Sequence, residues 1–243
     1  MQTPSQKELL DAGCHFGHLK RKWNPKMGPY IFMEKKGIHV IDLNRTIEGL
    51  ERAGKALRQI AKSGKKIMFV GTKKQGRDII TNAANSVNMP YVTDRWLGGM
   101  MTNFPTIRKS IRKMQKIQTM LNDGSFDNIT KKERLVMSRT HQKLEKVFGG
   151  IAQLNRLPNA LLILDVNHEH LAVAEADRLG ITTFGIVDTN SDPGCVDFAV
   201  PANDDASKSI KIVVEYLTSC IKEGLEERNN AKEEKATEEE SAS

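Results

Sequence analysis

The chain has 243 residues, enough for one large domain or one domain carrying an insertion. Its charge of +7 is uneven, with +11 on residues 1–221 and −4 on residues 222–243, so the body suits a polyanionic partner, most often nucleic acid, while 5% aromatic content excludes an extended stacking platform for single-stranded bases. Three widely spaced cysteines exclude a disulfide framework and suggest a reducing compartment, no apolar run approaches the ~20 residues of a membrane span, and MQTPSQKELLDAG has neither an apolar signal core nor an arginine-rich transit segment, so the protein is expected to work where it is made.

Ser5 and Glu8 have capping-box spacing and predict a short first helix carrying Leu9 and Leu10. CHFGHLKRKWNPKMGPYIF follows, rich in Gly, Pro and basic residues, and reads as an ordered loop. Between His15 and Lys36 there are six Lys or Arg and one acid, Glu34. Lys20, Arg21, Lys22 and Lys26 around Trp23 suit an RNA backbone with one stacked contact. A Trp23 that anchors the loop to the core is the alternative, and the two roles are compatible. Ile38–Leu43 predicts a strand, and Asn44 can cap a helix with Ile47, Leu50, Leu57 and Ile60 on one face. Lys65–Gly71 predicts a buried strand with a charged edge, residues 75–87 a helix, and Tyr91–Thr93 another strand. Arg95 and Trp96 come next and join the candidate RNA contacts.

Residues 103–157 read as two helices. Ile107, Ile111, Met114, Ile117 and Leu121 form one apolar stripe, and Met137, Leu144, Val147, Ile151 and Leu154 a second. Asn122–Ser125 supplies the turn, so a helical hairpin is the simplest reading. The segment holds 12 basic and 4 acidic residues, a net of +8. Arg108, Lys109, Arg112 and Lys113 are its candidate RNA contacts; a hairpin packed on its own domain with a merely solvated basic face is the alternative. Strand Ala160–Leu164, a helix over 168–179, strands Thr182–Val187 and Phe198–Val200, and a helix over 206–222 complete the pattern. Apolar strands alternating with helices predict an α/β domain with a parallel sheet covered on both faces. The expected division is a sheet domain, 1–102 with 158–225, an inserted hairpin, 103–157, and an acidic disordered tail, 226–243. Replacing residues 106–155 by a short linker is expected to leave that sheet domain folded.

Gly71–Asp78, GTKKQGRD, has the glycine spacing of a P-loop, and Leu161–Asp165 resembles a strand ending in a magnesium-positioning Asp. Arg77 and Asp78 stand where that chemistry needs Lys and a hydroxyl, so nucleotide hydrolysis is not expected. A helix start with Lys73, Lys74 and Arg77 suits a nucleic-acid phosphate equally well. His15 with His18, His168 with His170, and Cys14 with Cys195 lack the spacing of a structural zinc site, and no metal or cofactor is expected. Asn167 can cap the helix at 168, with Glu169 complementing its dipole. Asp188–Gly194 can hold a cation or form an Asx turn, the simpler reading.

DAGCHFGHLKRKWNPKM, GTKKQGRD, DRWLGGMMTNF, PNALLILDVNHEHLAVAEADRLGI and VDTNSDP, in that order, resemble the family of the second protein of the small ribosomal subunit. The resemblance covers about residues 5–225, and the hairpin is similar to the bacterial and organellar form. It implies a flavodoxin-like doubly wound parallel sheet with a protruding α-helical coiled-coil hairpin. It also implies a structural, non-catalytic role in translation, touching ribosomal RNA and neighbouring small-subunit proteins, the large first protein among them, in the bacterial cytoplasm or an organelle matrix. A free RNA-binding module or RNA chaperone is the alternative from charge and arm alone; a P-loop-like nucleotide-binding enzyme is more remote.

Overall fold

A computed structural model describes residues 2–122 and 130–241. Helix α1, Gln6–Asp11, starts at the expected capping box: Ser5 accepts from the Glu8 amide while the Glu8 carboxylate accepts from the Ser5 amide. The next stretch departs from the loop reading. It forms strand β1, Phe16–Leu19, two 3-10 turns over Lys20–Lys22 and Pro25–Tyr30, and strand β2, Ile31–Lys35. With β3, Ile38–Ile41, these strands make an antiparallel sheet of order β1-β3-β2. The short strands are held by their partners, and the pairing with β3 shifts register within both β1 and β2. A Cβ at Gly17 would lie 2.6 Å from the Thr189 side chain, so glycine is what lets this small sheet lie against the main one.

Helix α2, Leu43–Lys62, is capped by Asp42, not by Asn44; the Asp42 carboxylate accepts from the Asn44 amide. The main sheet then follows the predicted alternation: β4, Ile67–Val70; α3, Arg77–Ser86; β5, Tyr91–Val92; β6, Ala160–Leu164; α6, His170–Leu179; β7, Thr182–Val187; β8, Phe198–Pro201; and α7, Ser207–Ser241. Helices α4, Phe104–Asn122, and α5, Lys131–Phe148, lie between β5 and β6. The five main strands are parallel in the order β5-β4-β6-β7-β8. That order is compatible with flavodoxin-like winding.

Side-chain alternation sorts the core into two layers. Ile67, Phe69, Leu162, Leu164, Phe184 and Ile186 join α2, α3 and α7 on one face. Met68, Val70, Leu161, Ile163 and Val187 join α6 and the base of α4 and α5 on the other. Ile107, Ile111, Met114, Phe148, Ile151 and Leu154 belong to this second layer. The hairpin stripe therefore does more than pair its own two arms. At Gly150 an added Cβ would meet the Tyr91 carbonyl oxygen at 2.2 Å, so the returning chain crosses β5 in direct backbone contact. Helix α5 begins at an unforeseen capping box, Thr130 with Glu133; residues 123–125 of the predicted turn lie outside the described residues.

The last helix does not stop near residue 222. It continues to Ser241 through a segment predicted to be disordered. Arg58 of α2 pairs with Glu223 at 3.3 Å and also with Glu227, and Lys62 reaches Glu227 at 3.0 Å. Beyond these contacts the Ala, Glu and Lys content favours helix and no proline interrupts it.

Candidate functional site

Ligands of wound α/β sheets bind beyond the carboxyl ends of the strands, where the winding reverses. Here that place lies beyond β4 and β6. Chain leaving β4 delivers Thr72 and Lys73, β6 is followed by Asp165, β7 by Asp188 and Thr189, and β8 by Asn203, Asp204 and Asp205. Asp165 takes a left-handed backbone conformation, φ 63°, unusual for a residue with a side chain, and its carboxylate accepts from the His168 amide at 3.0 Å. Lys73 Nζ lies 3.1 Å from Asp165 Oδ2, 2.6 Å from Asp204 Oδ1 and 2.7 Å from Asp205 Oδ1. His18, from the small sheet, places Nδ1 3.1 Å from Asp188 Oδ2 and Nε2 3.4 Å from Asp205 Oδ2. Beside them Glu169 accepts from the Thr72 amide at 2.7 Å and its hydroxyl at 2.6 Å.

Four carboxylates thus face one ammonium and one imidazole. Burial pushes the Asp204 carboxyl up to about 7, helped by Asp188 and Asp165 and opposed by Lys73. Burial disfavours the charged form of Lys73, yet its hydrogen bonds with Asp204 and Asp205 outweigh this and keep it an ammonium. The hydrogen bond to Asp188 raises the His18 pKa against its burial. Asp204 Oδ2 is buried and unpartnered among the described residues. His18, Asp188 and Asp204 each offer a ligand atom, all within 4.8 Å of one another, a nitrogen and oxygen donor set that could hold a divalent cation. This differs from the histidine and cysteine pairings weighed from the sequence, which named neither Asp188 with His18 nor Asp204.

Several of the residues expected to touch RNA have partners within the chain. Lys73 gives its ammonium to carboxylates, so the GTKKQGRD turn is not an open phosphate cradle. Arg77 donates to the Thr72 and Asp94 carbonyl oxygens at 3.0 and 3.2 Å. Trp96 is buried and donates its indole N–H to Glu175 at 3.0 Å, so its ring is no stacking surface. Arg108 donates to the Leu154 carbonyl oxygen and to Asn155 Oδ1, both at 2.7 Å, and ties the two sides of the hairpin base. The predicted cap at Asn167 is also absent: Glu169 occupies the cap position of α6, with no side-chain capping bond.

Other expected residues are at the surface. Arg21, Lys22, Lys74, Arg95, Lys109, Arg112 and Lys113 are exposed. Lys20 and Lys26 are exposed too, paired with Glu34 at 2.7 Å and Asp192 at 2.5 Å. Trp23 lies against the buried His39 ring, centroids 5.1 Å apart, and remains 37% exposed, so anchoring leaves part of it open to a stacked contact. A groove of about 650 Å³ between α1 and the small sheet exposes Leu10, Phe16, Phe32 and Met33. Among the described residues no helix is long and apolar enough to cross a membrane.

This is a basic wound α/β protein whose strand ends are occupied by its own ion pairs and whose exposed lysines and arginines include those of the turn after β1 and of helices α4 and α5. Comparison with known proteins narrows the class. The family model for ribosomal protein S2 matches residues 9–224, and this chain belongs to that family. It is 58% identical over 224 residues to the small ribosomal subunit protein uS2 of Bacteroides thetaiotaomicron, covering 92% of this chain and 81% of that one. The uS2 of Phocaeicola vulgatus is 59% identical over 224 residues (92% and 80% covered) and that of Cytophaga hutchinsonii 58% over 227 (93% and 89%).

Proposed function

We propose that the chain is a structural constituent of the small ribosomal subunit, binding ribosomal RNA and neighbouring ribosomal proteins in translation, with no catalytic step of its own. Membership of the S2 family along nearly the whole folded chain carries this reading. The finer assignments are also ours: a flavodoxin-like body of residues 1–102 and 158–225, a coiled-coil arm of 103–157, a separate acidic segment from 226, and a ribosome-bound protein of the cytoplasm. The RNA-facing residues are Arg21, Lys22, Lys74, Arg95, Lys109, Arg112 and Lys113, supported by their charge and exposure, with Lys20, Lys26 and Trp23 beside the first two. The groove at Phe16, Phe32 and Met33 supports a protein neighbour, with the large first protein of the subunit as the proposed occupant, because exposed aromatic and aliphatic surface gains from burial in a way phosphate contacts do not supply.

Tagged protein from a cell lysate should sediment with small subunits; a pool that stays at the top of the gradient would instead indicate a free RNA-binding module. Binding of purified protein to small-subunit RNA should weaken steeply with salt. Seven phosphate contacts predict a log–log slope of roughly −5 to −6, and replacing Lys109, Arg112 and Lys113 by Gln should reduce its magnitude by about 2 to 3. An unchanged slope would leave the arm's charge without a role in RNA binding.

A further inference from the structure

The arm joins the body through residues 96–102, and this connection converges on one side chain. Glu175, on α6, accepts the Trp96 indole N–H at 3.0 Å and the Gly99 amide at 2.8 Å on Oε1. Its Oε2 accepts the Met101 and Thr102 amides, both at 2.9 Å, and the Thr102 hydroxyl at 3.1 Å. Five donors therefore meet one carboxylate two residues before α4 begins. The segment between them is tightly turned: Gly99 has φ 84°, and the Asn103 amide donates to the Gly99 carbonyl oxygen at 2.9 Å. Burial raises the Glu175 pKa, but the amides of Thr102 and Met101, the Trp96 indole and the Gly99 amide outweigh it, so the group stays a carboxylate.

We propose that Glu175 is the positioning residue that fixes the direction of the arm relative to the sheet. The argument is geometric. Packing of Ile107, Ile111 and Phe148 in the second core layer resists separation, but the hydrophobic driving force behind it is non-directional. Hydrogen bonds fall off steeply with misalignment, so five at one carboxylate specify an angle. The other polar ties at the base do not share this task. Arg108 with Leu154 and Asn155 joins one side of the hairpin to the other. Lys146 with Asp94, at 3.0 Å, reaches the body but is a single pair whose lysine is exposed. A fixed direction sets where Lys109, Arg112 and Lys113 meet RNA; that last step rests on the function proposed above, whereas the fixed direction does not.

The test is a distance measurement on the purified protein. In a Cys195→Ser background, spin labels are placed at Lys113→Cys on the arm and Lys55→Cys on α2, and pulsed electron paramagnetic resonance reads their separation. The parent should give one narrow distribution. Glu175→Ala should give a broad or shifted one at a temperature where its circular dichroism is unchanged, and Trp96→Phe, which removes one donor of five, an intermediate one. A Glu175→Ala distribution equal to the parent in mean and width overturns the proposal. If that variant fails to fold, Trp96→Phe with Thr102→Val removes two donors and leaves the carboxylate; an unchanged distribution there overturns it as well. Unlabelled Glu175→Ala should also enter small subunits several-fold less well. A broadened distribution with normal incorporation would sustain the positioning role and sink its link to RNA docking.

Discussion

Replacing residues 106–155 by a short Gly/Ser linker should abolish cooperative folding of the sheet domain, the reverse of what the insertion pattern alone predicts. The excision removes Ile107, Ile111, Met114, Phe148, Ile151 and Leu154 from the core layer that covers Met68, Val70, Leu161 and Ile163. Burying each such side chain is worth about 1.5–3 kcal/mol, so the six together contribute on the order of 10 kcal/mol. That equals the whole stability of an ordinary domain. A shorter excision, residues 118–140 replaced by a turn, spares all six and should leave a cooperative melt. Circular dichroism melting of both variants separates the cases. A sharp transition for the longer deletion would show that the hairpin base is dispensable to the core.

Lys73→Ala should be the most damaging single substitution at the strand ends, costing about 3–5 kcal/mol in urea denaturation. Asp204 is fully buried and Asp165 nearly so, and Lys73 is the ammonium both of them touch. Removing it takes the counter-ion from Asp165 and drives Asp204, whose carboxyl is already pushed up to about 7 with the ammonium in place, to take up a proton. Adding Asp204→Asn to Lys73→Ala should recover part of the loss, because the amide is neutral without that proton uptake. A change within ~0.5 kcal/mol, the scale of an ordinary surface substitution, would mean the carboxylates are neutralised some other way.

The alternation of strands and helices was legible because each main strand is an apolar run bounded by turn residues, as at Ala160–Leu164 and Thr182–Val187. Of the small sheet only β3 was legible, as the run Ile38–Leu43; β1 and β2 were not, because their short stretches sit among Gly, Pro and basic residues and only pairing with β3 makes them extended structure. The carboxylate cluster left a faint trace: Asp165 and Asp188 each stand directly after an apolar strand. Nothing local says that Asp204 and His18 meet them, since that follows from parallel register and from a glycine at position 17. The partners of Lys73 and Trp96 were not legible, for one shared reason. Residue type reports what a side chain can do, while its partner, an aspartate more than 90 positions away or Glu175 on another helix, decides what it does. The helix beyond residue 222 was missed because low hydrophobicity was read as disorder, although the same composition suits a solvated helix.

The arm separates β4 from β6, yet these two strands pair side by side from Ile67 with Ala160 to Val70 with Ile163. On a chain made from its amino end, β4 therefore waits for a partner, the central strand β6, that emerges about 90 residues later, and the early partner, β5, offers two residues. Closing a flexible loop of that length carries an entropy cost that grows as the logarithm of its length. A hairpin that has already folded brings the two ends of its arms together and roughly halves the effective loop, saving about 0.6 kcal/mol. The arm would then act during synthesis as a temporary clasp, and refolding rates should fall when the α4–α5 pairing is weakened at positions outside the core.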